Sequence, residues 1–180
     1  ILGGTTSDNF PLQGVDATPF NESSYDIYVL KLSTDGKSLE FSAMIGGNGW
    51  DFAHAISVDS EGNSYVTGGP NSSNFPVTSE ANCTTLQGDF DVFVFKLDFT
   101  GNVLVYCTFS GGSSWDEGAD ITIDNVGNAY ITGETQSVNF PVTADSFDPI
   151  HNGFVDAFIT QLDQTGSVVT YSTYLGGQIP

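Results

Sequence analysis

Two short segments carry oxygen-bearing side chains of the kind that calcium prefers. Asp59 and Asn63 flank one Gly-containing segment, and Asp124 and Asn128 flank another, 65 residues further along. Calcium takes about six to eight oxygen ligands, but neither segment has the alternating ligands and final glutamate of an EF-hand loop. Asp, Gly and Asn in this order are typical of tight turns. We therefore favour structural turns, with these four residues as the candidate calcium ligands.

The two tryptophans, Trp50 and Trp115, each precede an aspartate and are also 65 residues apart. Aromatic rings at the rim of a protein can stack on sugar rings, as in a glycan-binding adhesin. Large aromatic side chains also contribute strongly to packing between elements. We favour packing between neighbouring units, and Trp50 and Trp115 are the candidate ligand-contacting residues at the rim.

Catalysis is not predicted. His54 and His151 are the only histidines, and they occupy different positions of the 65-residue period. Asp26, Asp91 and Asp156 each open an apolar segment, where a carboxylate can accept N–H groups from a neighbouring loop. The sequence therefore predicts a protein that is not an enzyme and that has no cofactor other than the candidate calcium ions.

Covalent modification has five candidate residues. Asn21, Asn71 and Asn82 begin Asn-x-Ser/Thr sequons, which matter only if the chain is secreted by an organism that glycosylates. Cys83 and Cys107 fall in the same period and have no counterparts in the others. A disulfide in an oxidising compartment and two buried free thiols are both compatible with this pattern.

The charge of the chain excludes several classes of partner. Twenty-two acidic residues face three basic ones, and the formal net charge is −19. Nucleic acids are excluded as partners because phosphate contacts need Lys and Arg, and anionic membranes would repel this surface. No apolar run approaches the roughly 20 residues of a membrane span. We predict a soluble, secreted protein without nucleic-acid binding or membrane insertion.

Residues recur every 65 positions without insertion or deletion. Gly46-Gly47, for example, returns as Gly111-Gly112 and as Gly176-Gly177. A fixed long period indicates one supersecondary unit that buries its apolar faces against copies of itself. The period divides the chain into a partial unit, 1–47, and two full units, 48–112 and 113–180.

Each full unit is predicted to form four antiparallel strands. In the second unit these are 53–59, 64–68, 91–97 and 103–110. The third strand, Val92-Phe93-Val94-Phe95, is apolar on both faces, so its sheet must be covered on both sides. Four-stranded sheets stacked face to face around an axis meet this requirement, as in the blades of a β-propeller. No segment has the 3.6-residue periodicity of an amphipathic helix.

These motifs resemble the SBBP family, a β-propeller repeat of bacteria and archaea. The matching residues are Tyr171 to Gly177, then Asp51, Ala53, Ile56, Val58 and Asp59, then Gly62-Asn63 and Tyr65 to Gly68. The resemblance implies propeller blades and an occurrence in secreted or cell-surface proteins, often beside adhesion modules. It implies no enzymatic activity of the repeat itself.

The overall prediction is an all-β, open array of propeller-like blades, because a closed propeller needs about four to eight blades. Either the residues belong to a longer array, or neighbouring copies of the chain complete it. We expect an extracellular or cell-surface structural protein that self-assembles into a filament, a surface layer or a larger propeller. The alternative is an adhesin that binds glycans or other cell-surface proteins. We assign Tyr28, Leu30 and Phe41 to one open face, and Phe158 and Tyr174 to the other.

Overall fold

The structure, a computed structural model, describes residues 1–7, 9–16 and 24–177. These residues form eleven β-strands and no helix, which confirms the all-β prediction. The strands are β1 Leu2–Thr5, β2 Asp26–Leu32, β3 Leu39–Ile45, β4 Asp51–Val58, β5 Ser64–Pro70, β6 Val92–Leu97, β7 Leu104–Ser110, β8 Asp116–Ile123, β9 Ala129–Thr135, β10 Asp156–Leu162 and β11 Val169–Leu175. Within the described ranges, no helix is long and apolar enough to cross a membrane.

The strands form three antiparallel sheets. Sheet 1 has the order β1-β2-β3, sheet 2 the order β4-β5-β6-β7, and sheet 3 the order β8-β9-β10-β11. Strand β1 pairs with β2 in the register that β5 makes with β6: Leu2 lies opposite Val29, as Thr67 lies opposite Val94. Strand β1 is therefore the second strand of its unit, and sheet 1 has no first strand among the described residues.

Hairpin turns join the first strand to the second in sheets 2 and 3. Gly62 and Gly127 sit in these turns with φ angles of 90° and 92°. Side chains with a Cβ rarely adopt this left-handed backbone conformation, so glycine is required at both positions. The predicted Gly-containing turns are confirmed.

Two apolar cores lie between the sheets. Side chains alternate along a strand, so Phe93 and Phe95 of β6 pack in the core shared with sheet 1, whereas Val92 and Val94 pack in the core shared with sheet 3. All four side chains are buried. The prediction that both faces of the third strand are covered is confirmed for sheet 2.

Three of the residues that we assigned to open faces lie in these cores instead. Phe41 is buried between sheets 1 and 2, and Phe158 and Tyr174 are buried between sheets 2 and 3. Neighbouring residues of a strand point to opposite faces, so an error of one position moves a side chain to the other side of the sheet. Phe41 pairs with Lys31, so it shares the face of Val29 and not that of Tyr28 and Leu30.

Alanine substitutions at the same repeat position in sheets 1 and 2 test how much packing between blades contributes to the free energy of unfolding. Phe93 is fully buried between Phe75 and Phe95, with ring centroids 5.2 and 5.5 Å away. We expect Phe93→Ala to leave a cavity and to lower the free energy of unfolding by about 3–5 kcal/mol. Its counterpart Tyr28 is half-buried and stacks on Phe10, so Tyr28→Ala should cost clearly less. Denaturant titration of both variants measures the difference, and equal losses would contradict the assignment of Tyr28 to an outer face.

Candidate functional site: the blade junctions and the outer faces

A buried aspartate begins the first strand of each complete sheet. Asp51 Oδ2 accepts the N–H of Gly47 at 2.8 Å and the hydroxyl of Ser72 at 2.7 Å. Asp116 Oδ2 accepts the N–H of Gly112 at 2.6 Å and the hydroxyl of Ser137 at 2.8 Å. Each carboxylate thus joins the end of the preceding sheet to the connection that follows the second strand of its own sheet.

A second buried aspartate lies at the start of the third strand in sheets 2 and 3: Asp91 directly precedes β6, and Asp156 is the first residue of β10. Asp91 accepts the N–H groups of Gln87 at 2.7 Å and Gly88 at 3.1 Å, and Asp156 accepts the N–H of Asn152 at 2.6 Å. These are the loop hydrogen bonds that the sequence predicted for this position. They fix the long connection that precedes the third strand.

Aspartates of adjacent sheets approach each other at the junctions. A side chain at Gly46 would collide with Asp26 Oδ1 and would lie 3.0 Å from Asp51 Oδ2, so the two carboxylates flank this glycine. Burial raises the pKa of Asp51 to about 6, and the charge of Asp26 adds to the increase although hydrogen bonds from Ser72 and Gly47 oppose it. Burial, supported by the charge of Asp116, likewise raises the pKa of Asp91 to about 6.

The candidate calcium ligands form compact hydrogen-bonded turns. Asp59 accepts the N–H of Asn63 at 2.9 Å and its side-chain amide at 2.8 Å. Asp124 accepts the same two groups of Asn128 at 2.9 and 2.7 Å. Partial burial opposes ionisation of both carboxyls, but the hydrogen bonds outweigh it and lower their pKa values. The turns account for these residue types, and calcium binding there stays a prediction.

Both turns line one polar cleft of about 330 Å³. Asp59 and Asp124 reach this cleft, and Lys96 also lines it, with its Nζ 3.7 Å from Asp59 Oδ2. The Lys96 ammonium also lies 4.9 Å from the centre of the Tyr65 ring. Over the described ranges, no group of three or more His, Cys, Asp and Glu side chains is placed to hold a metal ion.

The tryptophans occupy different environments. Trp50 is 59% exposed, and its ring makes an edge contact with Phe52 at 6.3 Å, so the packing role that we favoured for it is wrong. Trp115 is half-buried. Their main chains form parallel bridges to Tyr25 and Phe90 of the preceding sheets, so both tryptophans lie where sheets meet.

The candidate modification sites are distributed over the loops and one core. Asn71 and Asn82 are exposed, whereas Asn21 lies outside the described residues. Cys83 and Cys107 are both free thiols in the structure. Cys107 is buried in the core between sheets 1 and 2, and Cys83 packs against the same core.

One contact between sheets was not predicted from the sequence. His54 Nε2 of β4 pairs with Glu117 Oε1 of β8, and the hydrogen bond from this carboxylate raises the pKa of His54. Glu134 lies beside them in the same cleft. The repeat gave no signal for this pair, because the counterpart of His54 is Ala119.

The outer face of sheet 3 exposes residues whose counterparts are buried in sheet 2. Tyr130 is 36% exposed, whereas Tyr65, at the same repeat position, is fully buried by sheet 3. Ile159 is half-buried, whereas its counterpart Val94 is buried. Leu175 extends this face and is 40% exposed. Sheet 3 therefore presents to solvent a surface whose equivalent in sheet 2 is covered by the next blade.

The outer face of sheet 1 also carries residues that are less buried than their counterparts in sheet 2. Tyr28 and Leu30 are half-buried, whereas their counterparts in sheet 2, Phe93 and Phe95, are fully buried against sheet 1. Leu12 lies on the adjoining connection and is 42% exposed. The described residues thus leave two unlike apolar faces uncovered, one on each terminal sheet.

A family model agrees with this arrangement of junctions. The SBBP model, described as a beta-propeller repeat, matches residues 40–76 and 109–141. The chain carries SBBP repeats. Each match starts in the last strand of one sheet, crosses the Gly-Gly turn and the buried aspartate of the junction, and ends at Phe-Pro. The three antiparallel sheets of the chain form an open, propeller-like array. No curated protein matches the chain.

The buried carboxylates predict how the stability of the SBBP blades depends on pH. A raised pKa in the folded state means that folding favours the protonated carboxyl. The contribution of this carboxyl to the free energy of unfolding is therefore complete below about pH 4 and is lost as the pH rises through about 6. For Asp51 the difference from the ordinary value of 3.8 corresponds to roughly 3 kcal/mol. Asp51→Asn should therefore reduce the fall in unfolding free energy between about pH 4 and about pH 6.

Chemical denaturation at several pH values measures this slope. Glu80→Gln, a change of the same kind at an exposed position, is the control and should leave the slope unchanged. Carboxyls with lowered pKa values, such as Asp59 and Asp124, act in the opposite direction and lose their contribution below about pH 4. An unchanged slope in Asp51→Asn would show that the Asp51 carboxyl titrates normally.

Proposed function

We propose that this SBBP protein is a non-catalytic structural protein that self-assembles by stacking its terminal sheets. The observation that supports this most strongly is the difference in solvent exposure between equivalent residues of sheets 2 and 3. Tyr65 and Val94 are buried by the next blade, whereas Tyr130 and Ile159 present the same kind of side chains to solvent. Apolar groups at such positions gain free energy when another surface removes them from water.

A second copy of the chain is the partner that fits these faces. In the internal junction, Phe93 and Phe95 of sheet 2 pack with Ile27 and Val29 of sheet 1. By the same geometry, Tyr28 and Leu30 of one copy would pack against the face of sheet 3 of another copy. Because the two faces differ, the contact is head-to-tail, and repetition of it closes a ring or extends a filament.

Charge should control this association. A net charge of −19 makes copies repel each other at low ionic strength, and salt screens that repulsion over distances of about 10 Å. An acidic surface with few lysines also suits the extracellular or cell-surface location that the SBBP resemblance implies. We therefore expect assembly to be favoured by salt and by cations.

A charged substitution on the outer face of sheet 3 tests the proposal. Ile159→Glu places a carboxylate on the half-buried face and should abolish association, because burying an unpaired charge is strongly unfavourable. Val126→Glu, at an exposed apolar position in the β8–β9 turn, carries the same charge change and should associate like the wild type. Multi-angle light scattering over a concentration series measures the mass. A wild-type chain that remains a folded 19.1 kDa monomer at every concentration and salt level would overturn the proposal.

Glycan binding is the second candidate function, and the exposure of Trp50 favours it. An aromatic side chain that is 59% exposed at a blade junction offers a stacking surface for a sugar ring. A glycan array should then show binding that Trp50→Ala abolishes and that Phe99→Ala, at another exposed aromatic, leaves intact. Binding that both variants retain, or a wild type that binds no glycan, would remove this candidate.

A further inference from the structure

A loop of sheet 3 exposes three large apolar side chains. The loop, residues 147–154, lies in the long connection between β9 and β10. Phe147 is 81% exposed, Ile150 is 64% exposed and Phe154 is 70% exposed. Single exposed apolar residues are ordinary on protein surfaces, but several in one short segment are typical of a binding surface. We call residues 147–154 the apolar loop.

The corresponding loop of sheet 2 is polar at these positions. The repeat counterparts of the three apolar residues are Asn82, Thr85 and Asp89. All three are exposed, although sheet 3 follows sheet 2 in the array. A further blade beyond sheet 3 would therefore leave the apolar loop exposed as well. The exposure belongs to this position of the repeat and does not depend on where the array ends.

The two loops share their main-chain hydrogen bonds. In sheet 3 the N–H of Asp148 donates to Thr173 Oγ1 at 2.8 Å, and in sheet 2 the N–H of Cys83 donates to Thr108 Oγ1 at 3.0 Å. Four residues further along, a main-chain N–H donates to the aspartate at the start of the third strand, at 2.6 Å in sheet 3 and 2.7 Å in sheet 2. The loops thus differ in the side chains that they present and not in how they are held.

Polar side chains of the apolar loop fix its conformation. Asp148 accepts the N–H of Ile150 at 3.0 Å and the side-chain amide of Asn152 at 2.9 Å. The same amide also donates to the carbonyl of Ile150 at 2.7 Å. Pro149 restricts the backbone between them. The loop is therefore ordered before a partner binds, which lowers the entropic cost of binding.

The charge around the apolar loop indicates the chemistry of its partner. Residues 113–180 contain Asp and Glu but no Lys or Arg. Asp145 is exposed just before the loop. Complementary charges steer and orient association, so a surface with Lys or Arg around the contact fits best. A second copy of this chain is a poor partner for the loop, because the whole chain has only three lysines.

Sugars and lipids fit the apolar loop less well than a protein does. A sugar ring needs polar groups beside the aromatic ring that can bond to its hydroxyls, but Asp148 and Asn152 already bond to each other. An anionic lipid surface would be repelled by the acidic unit. A protein surface can combine an apolar pocket with basic residues at its rim.

We propose that the apolar loop is a docking site for a partner protein whose surface presents an apolar pocket rimmed by Lys or Arg. Phe147, Ile150 and Phe154 enter the pocket, and buried aromatic anchors of this kind contribute most to binding. The basic rim of the partner faces Asp145 and the acidic surface of sheet 3. The loop is separate from the apolar sheet faces of the proposed function, so it binds a partner whether or not copies of the chain stack.

A peptide with this chemistry tests the site. The probe is a short, labelled helical peptide of Leu and Lys that presents an apolar stripe between two rows of lysines. Fluorescence anisotropy measures its binding to the full chain, and we expect saturable binding. The loop variant Phe147→Asn/Ile150→Thr/Phe154→Asn carries polar residues as in sheet 2 and has the same net charge as the wild type. It should bind the peptide about tenfold more weakly.

A matched variant and a second peptide are the controls. The control variant removes three exposed apolar residues of the hairpin turns and should bind like the wild type; its changes are Phe99→Asn, Val103→Thr and Val126→Thr. A peptide with Gln in place of Lys should bind the wild type about tenfold more weakly, because it lacks the complementary charge. Circular dichroism checks that each protein is folded.

Three results would overturn the proposal. They are absence of peptide binding by the wild type, equal affinity of the folded wild type and loop variant for the Lys peptide, and equal affinity of the wild type for the two peptides. Binding of phosphatidylcholine vesicles or of a glycan array through the loop, without binding of the Lys peptide, would replace the protein partner by a lipid or a sugar. None of these results depends on the stacking of copies, which the Ile159→Glu variant tests separately.

Discussion

The structure depends on the burial of apolar side chains on both faces of each blade. Strand β6 shows this most clearly, because Phe93 and Phe95 pack toward sheet 1 while Val92 and Val94 pack toward sheet 3. A sheet with two such faces needs a neighbour on each side, since either face alone would be left in water. This requirement accounts for the repeat and for the stacking of the sheets, and the outer faces of sheets 1 and 3 do not meet it within the described residues. The proposed assembly extends the same packing from one chain to the next.

Polar groups give this apolar packing a defined geometry. Asp51 and Asp116 each tie the Gly-Gly turn of the preceding sheet to hydroxyls of their own sheet, so that adjacent blades meet at one position. Desolvation of the Asp51 carboxylate opposes its burial, and its hydrogen bonds offset only part of that cost, which is why the pKa of Asp51 rises. Such a junction contributes more to the alignment of blades than to their stability.

Much of the architecture could be predicted from the sequence, because a period of 65 residues fixes equivalent positions without knowledge of contacts. The strands, the Gly62 and Gly127 turns and the double-sided packing of β6 follow from local patterns. The outer faces do not, since Phe158 and Ile159 are adjacent apolar residues of one strand and only the packing of the sheets shows which of them is covered. The exposure of Trp50 and the pairing of His54 with Glu117 depend on the neighbouring sheet, and neither has a signal within one repeat.

The most direct test of blade stacking between chains is a cryo-electron microscopy structure of the associated protein. We expect sheet 3 of one copy to lie face to face with sheet 1 of the next, with Ile159 close to Leu30 of the neighbouring copy. The spacing between these sheets should equal the spacing between sheets 1 and 2 within a chain. Copies joined only through hairpin turns or loops, with both outer faces still in solvent, would contradict it.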